Sequence, residues 1–93
     1  MHVDKAQKRI AKQVKKGFKG YPAISLEYFG KTKELATEVA ISFVMEEGDA
    51  PQEQRFSCET DVREDETIQS VLVKIIERAD AKSVTEVAGV TLL

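Results

Sequence analysis

The sequence predicts an α+β fold, a two-layer sandwich in which two helices cover one face of an antiparallel sheet of three or four strands, in the order α-β-β-β-α-β. Three observations predict it. Apolar residues recur at helical spacing in two stretches, around residues 3–18 and 65–82. Between them, three stretches alternate apolar and polar residues with the period of two that a half-buried strand shows. The connections are short and polar, as in an antiparallel meander, and strands with one apolar face need cover on one side only.

In the first stretch, Val3, Ala6, Ile10, Val14 and Phe18 fall in one arc of a helical wheel. Every lysine and arginine of that stretch falls opposite. Gly17 or Gly20 can supply the left-handed residue that ends a helix, and Pro22 forbids its continuation.

AISLEYFG, residues 23–30, alternates, with Ile24, Leu26 and Tyr28 on one face. GKTKELA then has hairpin length. TEVAISFVM, residues 37–45, puts Val39, Ile41, Phe43 and Met45 on one face, and EEGDAPQE is a second loop broken by Gly48 and Pro51. RFSCETDV, residues 55–62, reads as the third strand, with Phe56, Cys58 and Val62 inward.

The second helix, expected over residues 65–82, lines one face with Ile68, Val71, Leu72, Ile75, Ile76 and Ala79. Asp61 or Asp65 can cap its start. The tail SVTEVAGVTLL is rich in β-formers and reads as a fourth strand interrupted at Gly89. It either packs within the monomer or offers an edge, through Val87, Val90, Leu92 and Leu93, to another copy.

A chain of 93 residues fits one domain, residues 1–93, with a modest stability margin. Hydrophobic residues at 42% and charged residues at 32% describe a globular chain rather than a disordered one. No apolar run approaches the roughly 20 residues that span a bilayer, and the N-terminus has no apolar signal core. The one cysteine, Cys58, cannot form an internal disulfide. The expected location is the cytoplasm.

The net charge of −2 hides a segregation. Residues 1–20 carry seven basic side chains and one acidic, a balance of +6. Residues 46–66 carry nine acidic and two basic, a balance of −7. The basic set, Lys5, Lys8, Arg9, Lys12, Lys15, Lys16 and Lys19, is the candidate binding surface, for a polyanion or for an acidic protein partner. A solvated helix face explains it more simply, since the opposite arc must face the core. Lysine dominates, whereas arginine suits bidentate phosphate recognition better.

No catalytic set emerges. Cys58 lacks a base, because the sole histidine, His2, sits at the terminus. There is no phosphate-binding glycine loop, no G-x-G-x-x-G, no G-x-S-x-G and no H-E-x-x-H. No cofactor and no small-molecule ligand is inferred. EEGDAPQE lacks the alternating oxygen ligands of a calcium loop, and one histidine with one cysteine makes no zinc pattern.

The α-β-β-β-α order resembles that of double-stranded RNA-binding domains. That family carries lysines at the start of its second helix, aimed at phosphates. Arg63-Glu64-Asp65-Glu66 stands there in this chain and would repel them. GFKGYPAISLEYFGKT, with RFSCETDVREDETIQSVLVKIIERADAK, resembles a group of short uncharacterised bacterial proteins. That resemblance implies a bacterial, cytoplasmic, stand-alone domain and no particular activity. The expected function is non-catalytic protein binding or self-association, with RNA binding through the basic helix face as the alternative.

Overall fold

The computed structural model describes residues 2–93. Helix α1 spans Val3–Lys15, strand β1 Ala23–Gly30, β2 Glu38–Val44 and β3 Gln52–Ser57. A short 3-10 turn, Val62–Glu64, leads into helix α2, Glu66–Ala79, and strand β4, Ser83–Leu92. The strands form one sheet in the order β3-β2-β1-β4.

The small α+β layout holds, but the sheet is mixed rather than antiparallel. β1 pairs antiparallel with β2, and β2 with β3, as short loops require. β4 pairs parallel with β1, Ile24 opposite Val84. The chain leaves β3 at one edge, crosses the sheet through α2 and returns at the other edge in β1's direction. Alternation reveals which face a residue takes, not which strand it lies beside.

Both helices pack on the face that carries Ile24, Leu26, Tyr28, Val39, Ile41 and Val84. α1 contributes Ala6 and Ile10, and α2 contributes Ile68, Leu72, Val73 and Ile76. Each large aliphatic so buried stabilises the fold by about 1.5–3 kcal/mol before chain entropy is subtracted. Three members of the expected α2 face, Val71, Ile75 and Ala79, are only half-buried, while Gln69 and Val73 turn inward.

α1 ends earlier than its apolar spacing suggests. Gly17 adopts φ +72° and its N–H reaches the Val14 carbonyl, 3.1 Å away, closing the helix. Phe18 therefore lies outside the helix, 61% exposed, with its ring edge against Tyr21. Asp65 caps α2 through Oδ1, which accepts from the Ile68 N–H at 2.8 Å.

β3 runs earlier than expected, Gln52–Ser57 instead of 55–62. Asp61 ends the pattern by turn chemistry. Its carboxylate accepts from the Arg63 N–H at 2.9 Å and opens the 3-10 turn. Cys58 falls beyond the strand, half-buried against the core, with its thiol donating to the Thr60 carbonyl at 3.2 Å. β4 carries the irregularity expected at Gly89. Glu86 faces Leu26 and Val90 faces Tyr28, so Val87, Ala88 and Gly89 bulge out of the ladder. Gly89, at φ +73°, supplies the left-handed backbone of that bulge.

Candidate functional site

The basic surface forms as a consequence of helix packing. α1 lays its apolar arc on the sheet, which directs Lys5, Lys8, Arg9, Lys12 and Lys15 into solvent together with Lys16 at its cap. Among the described residues, only Arg9 of these makes an ion pair, Nη1 to Glu77 Oε1 at 3.1 Å across the gap to α2. Arg9, Lys12 and Lys16 line a shallow groove between the helices, of about 210 Å³, floored by Ile10, Val73 and Ile76. Lys19 does not belong to the helix face, because Gly17 has already ended the helix. It sits in the following loop, where its N–H donates to Ser83 Oγ at 2.7 Å.

A polar recess opens on the other flank of α1. Gln7, Tyr28, Arg63, Gln69 and Glu86 surround about 210 Å³. Sequence reasoning missed it. The available signal was Glu86, which shares an inward register with Val84 on β4. Gln69 is fully buried, its Nε2 donating to the Val62 carbonyl at 3.0 Å. It also shares a side-chain hydrogen bond with Tyr28. Burial, then the Glu86 charge, pushes the Tyr28 phenol above its ordinary pKa. Burial likewise raises the Glu86 carboxyl, against an opposing pull from Arg63.

Arg63 is itself committed. Its guanidinium holds Asp61 with Nη2 to Oδ2 at 2.6 Å and Nε to Oδ1 at 2.9 Å, and it reaches the Glu34 carbonyl at 3.1 Å. Those bonds, led by Arg63, hold the Asp61 carboxyl below its usual range. Gln7 Nε2 donates to the Arg63 carbonyl, which ties α1 to the same junction. No buried side-chain nitrogen or oxygen lacks a partner among the described residues. The recess therefore works as a polar brace joining α1, β1, α2 and the 3-10 turn.

The third feature is the β3 side of the sheet. α1 packs over β4, and α2 overhangs the β2–β3 side without closing on it, so β3 is only partly covered. Five of its six residues are exposed. Beneath α2 an open groove of about 350 Å³ runs between Ile41 and Phe43 on β2 and Ile75 and Ala79 on α2, rimmed by Gln52, Gln54 and Arg78. On the outer face of the sheet, Arg55 pairs with Glu38 at 3.0 Å and Glu53 at 3.5 Å, and covers the Phe29 ring at 4.7 Å. The acidic residues Glu46, Glu47 and Asp49 are exposed in the loop that enters β3.

Among the described residues, no three histidine, cysteine or acidic side chains gather as metal ligands, and no helix is long and apolar enough to cross a membrane. No family model, no curated protein and no solved structure matches the chain.

Proposed function

We propose that this domain acts without catalysis, by binding another protein chain or a copy of itself. The observation that carries the reading is the open, mostly exposed β3 edge with an apolar groove beside it. An unpaired strand edge recruits strands, and an adjoining apolar groove supplies burial that backbone pairing alone lacks. In the polar recess, the strongest alternative centre, Gln7, Arg63 and Gln69 are held by internal bonds. The reading places the domain in the cytoplasm of a bacterium, where a single unpaired cysteine stays reduced. Sedimentation equilibrium over a wide concentration range tests it. Reversible, concentration-dependent association is expected, and a monomer at every concentration counts against self-association.

A second reading rests on the basic surface. Six exposed cations, five of them without an ion pair among the described residues, form a stripe along α1 and its cap. Bound to the phosphates of structured RNA, they would give a salt-sensitive complex. Retention on duplex RNA should disappear when Lys12, Lys15 and Lys16 become glutamate. Retention that survives the triple change removes α1 as the site.

A further inference from the structure

The β3 edge has a chemical symmetry that selects one partner. The Cys58 N–H donates to the Thr37 carbonyl at 3.0 Å, just beyond the pair Ser57–Glu38. Bonding alternates along an antiparallel ladder. Residues 56, 54 and 52 therefore direct their backbone groups to β2. The N–H and C=O groups of Glu53, Arg55 and Ser57 point to the open edge. Charged side chains on an edge strand usually guard against pairing, since a like charge on each copy repels the other. Here the two charges are opposite and stand one on each side of Gln54.

We infer that β3 forms the interface of a two-fold dimer, pairing antiparallel with the β3 of a second copy about Gln54. This rests on the self-association reading above. A rotation about Gln54 sets Glu53 of one copy opposite Arg55 of the other, and the reverse. Both are residues whose backbone groups face outward, so each such pair exchanges both N–H···O=C bonds. On the outer face the same pairs bring carboxylate beside guanidinium. On the inner face Gln54 meets its own copy, and Phe56 comes beside Gln52 of the other chain at the mouth of the apolar groove. An isologous contact of this kind closes at two copies.

The acidic loops do not oppose the pairing. In an antiparallel pair, the loops entering the two strands lie at opposite ends, roughly 20 Å apart for six residues at about 3.4 Å each. That is well beyond the screening length of about 8 Å at physiological salt. The opposite edge offers no equivalent, because the bulge at Val87–Gly89 interrupts β4 midway.

The test is sedimentation of the full chain with four variants. The wild type should dimerise. Glu53→Arg and Arg55→Glu should each weaken the dimer about tenfold or more, through like charges set face to face. Mixed in equal amounts, these two variants should form a heterodimer. Glu53→Pro removes an outward N–H while sparing the ladder to β2, and should give a monomer with an unchanged circular dichroism spectrum. Association that survives both Glu53→Arg and Glu53→Pro overturns the β3 assignment but leaves self-association standing. Its loss in Lys12→Glu instead moves the contact to the basic stripe and an acidic loop. A mixture that stays monomeric overturns the register about Gln54. A wild-type chain that is monomeric throughout overturns both readings.

Discussion

The two edges of the sheet are finished differently. At β4 the strand is roofed by α1, buries Val84 completely and breaks its own ladder with a bulge at Val87–Gly89. At β3 the strand is polar and mostly exposed, and its inner face looks onto an open groove left between it and α2. One edge belongs to the core and has a built-in interruption. The other contributes little to the core and keeps its backbone available. The contrast separates what holds the domain together from what it can offer to other molecules.

The contrast can be sharpened by substitution on each side. The largest effect belongs to Val84→Ala, which opens space against Ile24 and should cost about 2 kcal/mol in urea unfolding, as truncation of buried aliphatics does. A cost below half of that would mean that β4 is held mainly by its backbone. A smaller effect of opposite sign is expected from Glu86→Gln. Burial raises the folded pKa of Glu86, so the folded chain holds this proton to higher pH than the unfolded chain does. Stability from this group is therefore highest at low pH and falls as pH rises from the unfolded carboxyl pKa through the folded one. The glutamine variant should be the more stable above that window and lack this fall, and parallel pH profiles of the two proteins would deny it. The smallest effect should come from Gln54→Ala, within about 0.5 kcal/mol when measured at dilution. A loss comparable to that of Val84→Ala would erase the distinction between the edges.

The junction at Asp61 gives a check in acid. Arg63 depresses the Asp61 carboxyl, so the stability it contributes is present above the unfolded pKa and disappears as pH falls through the lower folded value. Asp61→Asn should soften the acid limb of the unfolding profile, because the amide keeps some hydrogen bonds and has no charge to lose. An acid limb identical to the wild type's would remove Asp61 from the account.

Where residues decide their own conformation, the fold was legible. β1 occupies the stretch that alternation marks, α2 lies within the stretch its spacing marks, and Asp65 and Gly17 act as cap and stop. Three things were not legible. The parallel docking of β4 depends on which partner is free, which no period records. β3 carries almost no alternation, because only Phe56 on its inner face reaches the core and Gln52 and Gln54 face an open groove. Gln54 and Gln52 look like loop for that reason. The recess around Tyr28 and Glu86 unites residues from five elements that no local pattern connects. The basic stripe was read from spacing alone, apart from Lys19, which lies past the glycine that ends the helix.

The parallel docking of β4 also governs when the sheet is completed. Ile24 and Val84 meet across about sixty positions of chain, so one flank of β1 stays bare until the final strand has been synthesised and carried back over the sheet. Closing so long a span is slow compared with zipping the neighbouring hairpin. A nascent chain therefore passes through a stage with its greasiest ribbon unprotected on one side.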